Sequence, residues 1–176
     1  MPFDSPRMTL PVSIIGWLHV FFAMVWVGSA ILFPAVLGPV IGGLSPQSRS
    51  EFLLRFLPRM ERFLNVTVPL LLASGVALAG TMTDWNLHTL FGGGVWGLLV
   101  VTGGALGLLT YVFALATFVP AGRRMSNALK RMQTAPTREL GDELARIQRA
   151  IKRASEIEIA LMLVTLAFMT AAGFGA

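Results

Sequence analysis

Four long stretches of this chain carry no charged side chain: residues 8–48, 63–83, 85–122 and 159–176. Crossing the hydrocarbon of a bilayer takes about 20 residues of helix, so each stretch can cross once. The first and third exceed one span, yet neither holds two full helices and a turn. Gly38, Pro39, Gly42 and Gly43 close the first, and Gly92, Gly93 and Gly94 open the third. With 55% of residues hydrophobic, 13% charged and a mean hydropathy of +0.70, the chain lies outside the mix of a soluble domain. The expectation is an all-α integral membrane protein of one domain. Its spans are placed at about 11–37, 63–83, 94–119 and 155–174, packed as an antiparallel four-helix bundle.

A cleavable signal peptide is the competing reading of the N-terminus, since Arg7 precedes an apolar run that reaches small residues at Gly28 and Ala30. A signal's apolar core is about 7–15 residues long. Here the apolar character continues through Ile31, Leu32, Phe33 and Val36, which favours a retained helix.

The net charge of +5 would suggest nucleic acid in a soluble protein, but the basic residues are sorted. Arg49, Arg55, Arg59 and Arg62 fall between spans one and two. Arg123, Arg124, Lys130, Arg131, Arg138, Arg146, Arg149, Lys152 and Arg153 fall between spans three and four, and only Arg7 lies elsewhere. Basic loops stay in the cytoplasm. Both loops therefore face inward, while the loop around Asp84 and both chain ends face outward. The basic runs read as topology signals with an attraction to anionic lipid. The bilayer is the expected partner, and nucleic acid is not.

Along the chain, Pro34 is expected to kink the inner end of the first helix. Ser48 is the expected cap of a second helix that starts before the membrane, because Phe52, Phe56, Arg59 and Phe63 recur at helical spacing. Pro58 and Pro69 are expected to bend or interrupt it. Residues 123–153 are polar and helix-forming, with an amphipathic stripe of Leu129, Met132, Leu140, Leu144, Ile147 and Ile151. They predict a long cytoplasmic helical hairpin between spans three and four that turns near Pro136. Gly93 and Gly97, then Gly103 and Gly107, stand four apart at the third span, with Gly104 beside them. Such residues allow a neighbouring helix, or a flat macrocycle, to lie close.

Cysteine is absent and the chain has two histidines, His19 and His88. The topology puts both in the outer half. At 1.5 Å per residue, His19 sits roughly 12 Å below the outer boundary, and His88 lies in the outer loop or at the head of the third span. An ionisable group inside a membrane is a functional candidate. A neutral imidazole can bind iron or copper through one nitrogen while the other donates to a carbonyl or hydroxyl. Trp26, seven residues after His19, shares its helix face, with Phe22 and Ala23 between them. That apolar, aromatic face suits the edge of a porphyrin. His19 and His88 are thus the candidate iron ligands, with Phe22, Trp26, Gly97 and Gly104 as pocket walls. Met24, Met82 or Met169 can stand in for His88. Without a porphyrin, Met8, Met24, Met82 and Met169 with the two histidines are candidate copper ligands, though Met is also a common packing residue. Glu156 and Glu158, at the inner end of span four, are expected to pair with Arg153, Arg62 or Arg59. The alternative joins them to Asn65 and Thr67 in a proton entry route. No phosphate loop, nucleophile triad or zinc motif is present.

The first span, with Trp17, His19, Trp26, Gly28 and then Pro34 eight residues after Trp26, resembles the first helix of the CopD-type and HemJ-type membrane protein group. The likeness covers that helix well and is general over the other three. It implies a bundle of membrane helices with His19 as the group's first-helix histidine, an iron ligand in haem-binding members. CopD-type proteins handle copper, and HemJ-type proteins are linked to protoporphyrinogen oxidation. This chain is short beside the larger CopD-type proteins, and Ala35 stands where the HemJ group has a basic residue. The reading is a membrane haem b protein for electron transfer or membrane-associated redox chemistry, in the plasma membrane of a prokaryote. A redox protein or quinone is its expected partner, and a homo-oligomer is compatible. The rivals are a copper-handling protein and a cofactor-free structural or assembly subunit.

Overall fold

The computed structural model describes residues 10–174 and is helical almost throughout, with no strand among them. Both chain ends and the candidate copper ligand Met8 lie outside the described residues. Six α-helices follow in order: α1 (Leu10–Leu32), α2 (Gly38–Gly42), α3 (Pro46–Met82), α4 (Leu87–Gly92), α5 (Gly94–Thr134) and α6 (Arg138–Gly173). Four helical stretches, Leu10–Gly42, α3, α5 and α6, are long and apolar enough to cross a membrane.

The expected kink at Pro34 takes the form of a π-helical turn, Phe33–Leu37, between α1 and α2. Proline has no N–H to donate and its ring crowds the carbonyl four residues back. A wider turn relieves both, and Gly38 N–H duly reaches the carbonyl of Phe33, five residues back. Arg49 then closes α2: its guanidinium donates to the carbonyls of Ile41 at 3.0 Å, Leu44 at 3.3 Å and Gly42. A basic residue read only as a topology signal thus also satisfies carbonyls left open at a helix end.

The cap of α3 is Ser45 and not Ser48. The Ser45 hydroxyl accepts from Ser48 N–H at 3.2 Å, and Pro46 takes the first helical position, where its missing N–H costs nothing. Pro58 and Pro69 do not interrupt α3, which runs through both for 37 residues. Both are exposed. The hairpin turns at Pro136 as expected, between Thr134 and a Thr137 cap that accepts from Leu140 N–H at 3.3 Å.

α1 packs on α3, α3 on α5, and α5 along the length of α6, with a lighter contact between α1 and α6. Two small cores hold this together. One joins Trp26, Val68, Leu71 and Met162; the other joins Leu53, Met125 and Leu129, against which Leu144, Ile147 and Ile151 pack. Large apolar side chains otherwise face out, as at Trp17 and Leu98, each 64% exposed. In water such a surface would be a liability; against lipid tails it is solvated.

Candidate functional site: a histidine seated between two helices

α1 directs His19 at α3. Its Nδ1 lies 3.1 Å from the carbonyl oxygen of Leu71 and 3.5 Å from Ser74 Oγ, whose hydroxyl donates to the same carbonyl at 2.9 Å. A carbonyl can only accept, so Nδ1 carries the proton and Nε2 keeps its lone pair. Among the described residues no protein group is hydrogen-bonded to Nε2. Gly75 is the seat of the ring: a Cβ there would come within 2.8 Å of His19 Cε1 and 3.1 Å of Nδ1. Leu71 also ties the site to the core, because its side chain joins the cluster around Trp26, which is 5% exposed. Phe22 and Ala23 pack on that cluster. His19, Phe22 and Trp26 therefore meet α3 together, as their helical spacing predicts.

The other candidates are elsewhere. His88 is exposed on the short helix α4, where its backbone N–H, with that of Thr89, is capped by Asn86. The chain enters that helix through two residues in left-handed backbone, Asp84 (φ 51°) and Trp85 (φ 58°). The Trp85 ring lies over Gly80, where a Cβ would meet it at 2.7 Å. Gly97 does not open onto a pocket: the carbonyl of Leu90 covers the face a Cβ would occupy, so this glycine serves the contact between α4 and α5. Gly104 has open space beside it. Met169 packs at Gly103, with Cε 3.0 Å from a Cβ built there, and Thr165 lies 3.6 Å from one built at Gly107. Met24 is 62% exposed, and Met82 also faces outward.

Glu158, 8% exposed, is buried within α6 one turn before Met162. The expected pairing of Glu156 and Glu158 with Arg153, Arg62 or Arg59 does not form. The ion pairs among the described residues are Arg123 with Glu61 and Arg131 with Glu143, at 4.0 and 3.9 Å. For Glu158 the reason is helical phase: it shares the inward face of Met162, whereas Arg59, Arg62 and Arg153 are exposed, as is Glu156.

No group of three His, Asp or Glu side chains that could hold a metal ion occurs among the described residues. One imidazole nitrogen is a poor holder of a bare cation. Two recesses lie on the hairpin, one lined by Arg146, Arg149, Ala150 and Arg153, the other by residues around Thr137 and Leu140; His19 lines neither. Leu71, Ser74, Gly75 and Met162 were not legible as site residues. Only the adjacent small residues Ser74 and Gly75, inside an apolar run, mark a point of close approach. No protein-family model, curated protein or solved structure matches this chain.

Proposed function

We propose that this chain is a haem b protein of the membrane, in which His19 Nε2 would hold the iron and Phe22 and Trp26 would supply apolar walls. The observation that carries this reading is the hydrogen bond from His19 Nδ1 to the Leu71 carbonyl. Histidines that bind metals characteristically donate their second ring nitrogen to such an acceptor, which fixes the tautomer and orients the free nitrogen. Bound haem would supply a one-electron couple for electron transfer or for oxidation of a membrane-associated substrate. The protein's own part is to hold the imidazole, keep water from it with the Trp26 cluster, and leave Nε2 unprotonated. His88 is the candidate second ligand on its place in the sequence alone; it is exposed on α4, apart from His19.

The reading includes an antiparallel four-helix bundle with the α5–α6 hairpin and the α2–α3 connection in the cytoplasm and both chain ends outside. The sorting of basic residues supports it. The methionines give copper handling no comparable support, because Met24 and Met82 face outward and Met169 is engaged at Gly103.

The absorbance spectrum of detergent-purified protein, air-oxidised and then dithionite-reduced, tests the reading. We expect a Soret band and sharp reduced bands in the wild type. Both should be lost in His19→Gly, restored by added imidazole, and altered in His88→Ala if that residue also binds the iron. Colourless protein from haem-replete cells would sink the proposal. It would favour a second reading, a cofactor-free subunit in which His19 is a packing residue, and the close seat at Gly75 supports that alternative.

A further inference from the structure

Arg146, Arg149 and Arg153 surround Ala150 on one side of α6 and line a recess of about 280 Å³. Their spacing of three and four residues stacks them along one helix face. The opposite face of the same turns holds the hairpin together, since Leu144, Ile147 and Ile151 pack against Leu53, Met125 and Leu129. The arginines are therefore not spent on packing. Nor are they spent on ion pairs: among the described residues none of the three has a carboxylate within 4.0 Å, the pairs there being those of Arg123 and Arg131. Arg149 is steadied by donation from Nε to the Ala145 carbonyl at 3.3 Å. The acidic residues of this limb, Glu139, Asp142 and Glu143, lie toward the hairpin tip. Glu156 and Glu158 follow beyond Arg153, so it is the segment from Arg146 to Arg153 that carries basic charge alone.

Three unpaired guanidiniums around one methyl group repel one another, and an oxyanion placed between them removes that repulsion. Guanidinium forks match phosphate oxygens in geometry as well as charge. The stripe covers about 10 Å along the helix axis and its Arg153 end stands about 9 Å before the uncharged stretch that begins at Ile159, so with α6 across a bilayer that end is the one within reach of lipid headgroups. Ala150 matters as much as the charges, because its small side chain leaves the recess open.

We propose that this recess binds the phosphate of an anionic phospholipid headgroup. The inference rests on the membrane placement of α6 and is independent of haem. Native mass spectrometry of the full chain, released from micelles containing phosphatidylglycerol and phosphatidylcholine in equal amounts, tests it. The wild type should retain phosphatidylglycerol selectively. Arg149→Gln should weaken retention about fivefold, since each basic residue near an anionic surface contributes on that scale. Ala150→Leu should reduce selectivity with every charge in place. Position 150 is exposed, so that variant should keep its fold, checked by helical circular dichroism. Equal retention of the two lipids by the wild type, or unchanged selectivity in Ala150→Leu, would overturn the proposal. Displacement of the lipid by inorganic phosphate alone would overturn it in favour of a soluble anion. Extraction of the chain from membranes by alkaline carbonate would defeat the membrane reading itself, a result distinct from any lipid preference.

Discussion

Gly75 on α3 and Gly103 on α5 both stand where one helix leans on another, but different groups fill the room they leave. At Gly75 the occupant is the imidazole of His19, and the close approach brings its Nδ1 to the Leu71 carbonyl. At Gly103 it is the thioether of Met169. The first seam is polar, aromatic and rigid; the second is apolar and adaptable. A small residue in a span is therefore not itself a mark of function. Its neighbour decides whether the space serves packing or the positioning of a reactive group.

The sharpest way to break this comparison is Gly75→Ala. The added methyl would lie 2.8 Å from His19 Cε1, and the short imidazole has no flexible stem with which to retreat between two helices. Overpacking together with a lost hydrogen bond should cost about 2–4 kcal/mol. Thermal unfolding in detergent measures it, and any haem absorbance should fall with it. Unchanged stability would mean that the seam is slack and that the two glycines are equivalent after all.

His19→Ala should cost less, about 1–2 kcal/mol, because it removes one hydrogen bond and leaves a small void. The Leu71 carbonyl is not orphaned, since Ser74 Oγ still donates to it at 2.9 Å. Measured beside Gly75→Ala, this variant separates the value of the imidazole from the cost of crowding it. A loss as large as that of Gly75→Ala would show that the histidine is a principal brace between α1 and α3.

The contrast between the seams also marks what the sequence could reveal. Spans are a one-dimensional signal, because lipid excludes charge over a fixed depth, and the four uncharged stretches end where charged residues begin. The hairpin was legible for a similar reason: Pro136 breaks a helix-forming run, and Leu140, Leu144, Ile147 and Ile151 keep one face apolar on its far side. Local chemistry was read less well. Ser48 is the expected cap, whereas Pro46, at the first helical position, points to the residue before it. Of the two outcomes expected at Pro58 and Pro69, a bend or an interruption, the interruption is absent, since α3 runs through both. The partner of His19 is a backbone carbonyl, which has no sequence signature. The partners expected for Glu158 were near in sequence and topology but on another face of the helices, a distinction of phase that Met162, four residues on, could have supplied.

Gly103→Ala should change stability by less than about 1 kcal/mol, because what the new methyl meets can move. It would lie 3.0 Å from Met169 Cε and 3.3 Å from Cγ and Sδ. Methionine has three rotatable bonds and can shift by the few tenths of an ångström required. A loss as large as that at Gly75 would show that α5 and α6 are locked as tightly as α1 and α3, and the contrast would fail.

One turn further along the same seam, Gly107→Ala should act in the opposite direction. Its methyl would meet Thr165 Cγ2 at 3.6 Å, an ordinary van der Waals contact that adds buried area without displacing anything. Alanine also loses less backbone freedom than glycine on forming a helix, so a gain of about 0.5 kcal/mol is expected. The gain should persist in a His19→Ala background, because additivity holds between sites that share no partner. Non-additivity would mean that the two seams communicate, with Met162, the α6 residue in the buried cluster that also holds Trp26 and Leu71, as the route to examine.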